Sequence, residues 1–216
     1  MTVVTGTEAE IVKRRILDAA AEAFMSQGFG VTTIDDVAER VGATKGLVYY
    51  HFRSKFDILL AVYERGMSQV QQQVGPARHG AGSGRERLIA MSTEHVVNLM
   101  SDLKYHWVVH LGVREQTSTA LKPRQRDALS ALNDLRRDYE RMFLAVVDDG
   151  IADGSIREVN APLATRTLLS SLNAVDAWYR PRPDQTPEAI RALAAEVVDL
   201  IVGGLLLSNT RREGAS

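Results

Sequence analysis

Apolar residues recur along this chain at intervals of three and four, the repeat of one helix face, and alternating strand patterns are absent. Val12, Ile16, Ala20, Ala23 and Phe24 mark a first helix, opened by a Thr7/Glu10 capping box and ended at Gly28. Ile34, Val37, Ala38 and Val41 mark a second, with Thr33 as N-cap, Asp36 three positions on, and Gly42 where a left-handed C-cap belongs. Thr44 caps a third, very short helix whose expected inward anchors are Leu47, Val48 and Phe52. Ser54 with Asp57 caps a longer helix that starts at Lys55 and is predicted to stop near Gln73, ahead of Gly75-Pro76. The glycine-rich stretch from Gly75 to Gly84 reads as a mobile loop; no strand precedes it and no lysine-serine follows, so it is not a phosphate loop. Further helices are predicted over residues 85–105, 107–115, 123–149, 162–179 and 187–207, three of them opened by proline, and the tail 211–216 reads as disordered. The expected fold is all-α: a three-helix domain over residues 1–54 and a larger helical domain over 55–216.

The third helix carries chemistry as well as pattern. A helix that short needs neighbours, yet it is loaded with Lys45, Tyr49, Tyr50 and His51. Gly46 inside it costs about 1 kcal/mol relative to alanine, which becomes intelligible if a backbone must come close to a base pair. An ordinary helical hairpin would explain the caps and the turn but not the Lys-Gly and Tyr-Tyr-His groups. The arrangement reads as a helix-turn-helix pressed into a DNA groove, with Thr33, Thr44, Lys45, Gly46, Tyr49, Tyr50, His51 and Lys55 as the expected DNA-facing residues.

The run from Thr33 to Lys55 closely resembles the N-terminal motif of the TetR family of repressors. Ile34, Val37, Ala38, Gly42, Thr44, Gly46, Tyr49, His51 and Phe52 all match it; Val41 stands where alanine is usual and Ala43 where a larger aliphatic is common. The resemblance covers about the first quarter of the chain strongly, and it implies a two-fold regulator bound to a palindromic operator in double-stranded DNA.

Charge sharpens this picture. The chain has a net charge of −1, and its first sixty residues hold seven Lys or Arg against eight Asp or Glu. Positive charge must therefore be local, on Lys13, Arg14, Arg15, Lys45, Arg53 and Lys55, and DNA binding is expected to weaken steeply with salt. Basic residues near the start of the first helix oppose its dipole, so phosphate contact is the favoured reading over a merely solvated face. With 216 residues, 45% hydrophobic composition and no cysteine, the chain can bury a sizeable core and suits a reducing cytoplasm. It shows neither a secretory pattern nor an apolar run long enough to span a membrane.

Two long stripes near the end, Leu163, Thr167, Leu168, Ser171, Leu172 and Val175, then Ile190, Leu193, Ala194, Val197, Leu200, Ile201 and Gly204, are unusually apolar; such stripes are usually plain core, and part of this surface is. A two-fold reader must set two recognition helices about 34 Å apart, and the TetR resemblance implies a homodimer through these last helices. Shorter similarities, at Val113-Arg114-Glu115, residues 136–140, residues 149–154 and residues 177–181, resemble a TetR subgroup that regulates fatty-acid or sterol degradation and binds acyl-CoA thioesters. Trp107, Leu111, Met142, Leu169, Leu172 and Trp178 would then border a pocket for a small hydrophobic effector, with Arg114 or Arg180 meeting phosphates. Core packing and surface ion pairs would explain the same residues. A sensor of small hydrophobic drugs, and a module of this fold without DNA binding, are the alternatives.

His106 and His110 are four apart, as two metal ligands can be, but a zinc signature is lacking; a surface or pocket role is favoured and no metal or cofactor is expected. Nucleophile elbow, phosphate glycines and cysteine nucleophile are all missing, and Asp35-Asp36 and Asp148-Asp149 are adjacent pairs that point apart on a helix. Enzymatic activity is not expected.

Overall fold

The computed structural model describes residues 8–115 and 122–203, all in helices and short connections. The helices are α1 (Glu8–Gln27), α2 (Ile34–Val41), α3 (Lys45–His51), α4 (Lys55–Arg78), α5 (Gly84–Ser101), α6 (Leu103–Glu115), α7 (Pro123–Ala152), α8 (Ala161–Asn173), α9 (Val175–Trp178) and α10 (Pro187–Val202). The protein is all-α, and no strand occurs among the described residues. Thr7, Gly204 and the 211–216 tail lie outside the described residues, as does the side chain of Arg114.

Several boundaries differ from the sequence pattern. Helix α4 runs on through Gly75 and Pro76 to Arg78, so the connection to α5 is only residues 79–83 and not the glycine-rich loop expected. Proline supplies no N–H to the carbonyl four residues back; with only two helix residues after it, the disturbance is confined to the end of α4. The break between α5 and α6 falls at Asp102, earlier than periodicity suggested, and the helix expected over 162–179 is cut at Ala174 into α8 and the single turn α9.

The chain divides into two compact units, Met1–Gln69 with Asp102–Arg136 and Val70–Ser101 with Arg137–Ser216. In the first unit α6 packs on α1. There one core gathers Ile16, Ala20 and Phe24 of α1, Val37 and Val41 of α2, Val48 of α3, Phe52, and Phe56, Leu59 and Val62 of α4, closed by Tyr105 and Val108 of α6 and Leu129 of α7. A polar node binds the same helices: Arg65 Nε donates to the Tyr105 hydroxyl at 2.9 Å, and that hydroxyl donates to Asp18 at 2.9 Å. Tyr105 is buried, so its phenol is held well above its usual pKa, first by desolvation and then by the Asp18 carboxylate.

In the second unit α5 packs on α8, α9 and α10. The stretch 149–154, which the sequence offered as a family similarity, closes the start of α5. Gly84 N–H donates to Asp153 at 2.7 Å, Arg85 N–H donates to Ser155 Oγ at 3.0 Å, and Arg87 pairs with Asp149 at 3.0 Å. A cluster inside this unit joins His95 to Tyr139 at 2.9 Å and to Asn173 at 3.2 Å.

Candidate nucleic-acid interface

Local chemistry builds this site. The Thr33 side chain accepts from the Asp36 N–H at 3.2 Å while the Asp36 carboxylate accepts from the Thr33 N–H at 2.7 Å, a reciprocal capping box. Those bonds hold the Asp36 carboxyl below its ordinary pKa. Gly42 ends α2 at φ 68°, a conformation side chains resist, and sends the chain into α3. Thr44 Oγ1 then accepts the Leu47 N–H and caps α3.

A single buried stripe orients α3. Val48, and Phe52 four residues on, face the core; Leu47, expected as a third anchor, is rotated about 100° away and is exposed. The opposite face is left outward: Tyr49 is 47% and Tyr50 81% exposed. His51 sits edge-on to Tyr50 with ring centroids 5.2 Å apart. Lys45 is exposed and bridges Asp35 at 2.7 Å, a contact that raises its pKa and must yield for the ammonium to reach a phosphate.

Gly46 has no packing reason to be glycine. A Cβ there would meet Thr44 Oγ1 at an ordinary 3.8 Å, and the residue's φ is not positive. The residue leaves its backbone bare on the outward face. Gly46→Ala is therefore expected to raise stability by up to ~1 kcal/mol through helix propensity while lowering operator affinity. Thermal denaturation paired with fluorescence anisotropy checks this, and unchanged affinity would show that nothing approaches this backbone.

Three expected phosphate contacts have other work in this conformation. Lys55 donates its three ammonium protons to the carbonyls of Phe29, Thr32 and Gly30 at 2.6, 2.6 and 3.1 Å, and stands 4.7 Å over the Phe29 ring. It clamps the α1–α2 connection to the start of α4 instead of reaching outward. Arg15 donates to the Val41 carbonyl at 3.0 Å, where a cation suits the end of α2. Lys13 lies over the Phe52 ring at 5.9 Å. Arg14 and Arg53 are exposed.

The expected effector residues are distributed differently from the pattern. Trp107 and Leu111 pack, partly buried, on the core of the first unit. Met142 and Leu169 are half-buried and Leu172 is fully buried in the second. Trp178 is 54% exposed, because Val175 and Tyr179 take the inward positions around the short α9. Arg180 donates to the carbonyls of Asp176, Ala177 and Tyr179, closing α9 with the guanidinium meant for phosphates. His106 is buried and His110 half-buried; among the described residues no three metal-ligating side chains converge.

Comparison with known proteins agrees with this geometry. Residues 16–62 match the profile described as bacterial regulatory proteins of the tetR family, and residues 81–205 match the tetracyclin repressor-like C-terminal domain. Over 193 residues the chain is 24% identical to the fatty acid metabolism regulator protein of Bacillus subtilis (strain 168), covering 88% of this chain and 94% of that one. It is 26% identical over 202 residues to the HTH-type transcriptional repressor KstR2 of Rhodococcus jostii (strain RHA1), covering 89% and 90%. The crystal structure of the TetR family transcriptional regulator PfmR from Thermus thermophilus superposes with a TM-score of 0.73 at 28% identity, covering 89% of this chain and all of that one. This chain belongs to the TetR family of bacterial transcriptional regulators, DNA-binding proteins and not enzymes.

Proposed function

We propose that the protein is a homodimeric repressor that holds a palindromic operator through two copies of α3 and is released by a hydrophobic effector, an acyl-CoA thioester. The observation that carries the DNA half is the outward face of α3, where Lys45, Tyr49 and Tyr50 stand clear of the core beside a glycine that packing does not require. Tyrosine hydroxyls and a lysine reach phosphates and base edges, and a bare backbone admits close approach. Thr33 and Thr44 hold the two helix starts in place, and Lys55 acts through the turn it clamps. His51 lies beside the contact face.

Pairing is supported by apolar surface left open on α8 and α10. Leu163 and Leu200 are 62% and 82% exposed, and a groove lined by Val159, Leu163, Leu168 and Ile201 runs beside them. A second copy of the same face would cover them in a two-fold bundle. Leu200→Arg is expected to leave each chain folded, shift sedimentation to the monomer and remove high-affinity operator binding. A variant that stays dimeric would move the interface elsewhere.

The effector half rests on full-length similarity to a regulator named for fatty acid metabolism and to a repressor. The route to DNA would run through Tyr105, which lies on α6 and bonds to Asp18 of α1 and Arg65 of α4. Moving α6 would tilt both helices that carry the reading head. Driving occupancy from 99:1 to 1:99 needs a preference of about 5.5 kcal/mol for the released state. Palmitoyl-CoA is expected to release the protein from the promoter of its own gene, and to raise its melting temperature with the logarithm of its concentration once above Kd. Coenzyme A alone and lipophilic antibiotics should do neither. Release by an antibiotic instead would make the protein a drug sensor, and a chain that ignores every promoter fragment would be a module without DNA binding.

A further inference from the structure

We infer that the Asn133 amide, held by Tyr63, is the point at which the effector's carbonyl oxygen is recognised; this rests on the effector reading above and names its site. Asn133 follows Leu129 by one helical turn on the inward stripe of α7 and is only 3% exposed, a burial that asparagine side chains seldom reach. The Tyr63 hydroxyl donates to Asn133 Oδ1 at 3.0 Å, leaving Nδ2 buried with no acceptor among the described residues. A buried amide with an unmatched end burdens folding, and that burden is lifted when an acceptor arrives.

The pair is also deliberately aimed. Gly112 of α6 lies flat against the Tyr63 ring, where a Cβ would sit 2.6 Å from ring carbon Cδ2 and 3.6 Å from Leu129. That glycine, which weakens a helix interior, fixes the ring and so fixes the hydroxyl on Asn133. Burial keeps the Tyr63 phenol protonated, pushed up to about 12, so it remains a donor at neutral pH. A neutral N–H donor among Tyr63, Leu129 and Gly112 suits a neutral acceptor flanked by hydrocarbon, such as a thioester carbonyl. A carboxylate would be buried there without a paired cation, since Arg136, the cation Tyr63 senses, is exposed to solvent.

The test compares palmitoyl-CoA with its thioether analogue S-hexadecyl-CoA, identical but for the carbonyl, on wild type, Asn133→Leu, Tyr63→Phe and the two changes together. Operator release and ligand-free melting are measured on the full chain. Wild type should respond to the thioester at concentrations at least about tenfold lower than to the thioether. Asn133→Leu should treat both compounds alike, with Tyr63→Phe intermediate, and the paired variant, which leaves no hydroxyl buried without an acceptor, should melt at the same or a higher temperature than wild type. Equal wild-type responses to both compounds would overturn the carbonyl site while leaving the acyl-CoA reading intact. A lower melting temperature for the paired variant would overturn it too, by making the amide and phenol a structural pair. Wild type that responds to neither compound would remove the acyl-CoA reading, and this inference with it.

Discussion

Replacing Tyr49 and Tyr50 together by alanine is expected to abolish operator binding at physiological salt while leaving the melting temperature within a degree or two. Neither ring supports the core: Val48 and Phe52 do that from the opposite side of α3, and both tyrosines are exposed. Surface changes of this kind usually move stability by no more than about 0.5 kcal/mol. Contacts to bases or phosphates are worth roughly 1–3 kcal/mol each, and a two-fold complex loses them at both half-sites, so affinity should fall by about three orders of magnitude. Fluorescence anisotropy against a salt series, with thermal denaturation alongside, gives both numbers. Retained affinity in the double variant would remove α3 as the reading helix.

Gly84→Ala is the change expected to damage the fold most. An added Cβ would lie 2.3 Å from both the Cα and the backbone nitrogen of Gly150, and neither atom can rotate aside as a side chain would. Separating the two backbones also stretches the bonds from Gly84 to Asp153 and from Arg85 to Ser155, and the Arg87–Asp149 pair. Overpacking typically costs about 1–3 kcal/mol, and with three neighbouring contacts disturbed the upper part of that range applies. For a protein of this size that is a melting point lower by roughly 6–12 °C. Gly150→Ala should be milder, because its Cβ meets the Ile156 side chain at 2.5 Å, which has other rotamers. Calorimetry on the two variants checks the order; an unshifted Gly84→Ala transition would mean the two glycines are further apart than the structure has them.

The reading head was legible because it is written in local chemistry. Thr33 with Asp36, Gly42 and Thr44 satisfy or end helices using neighbours three or four residues away, so their spacing alone specifies two short helices and the turn between them. For Lys55, Arg15 and Arg180 the backbone partners were not legible, for the opposite reason. Their types and positions fit phosphate contact, but each is occupied by backbone carbonyls, for Lys55 and Arg15 about 25 residues away along the chain. Leu47 shows the same limit at small scale, since a seven-residue helix offers too few apolar positions to fix which face turns inward.

The sequence by itself determined the helical class, the family and the outward chemistry of α3, because periodicity, caps and a contiguous motif are all set by residues close together along the chain. Tertiary structure alone decided that α4 runs through Pro76, that residues 149–155 cap a helix some seventy positions earlier, and that Tyr63, Gly112 and Asn133 form one buried group. Such pairings depend on which surfaces meet when helices pack. Sequence spacing carries no information about partners that only the folded core brings within hydrogen-bonding distance.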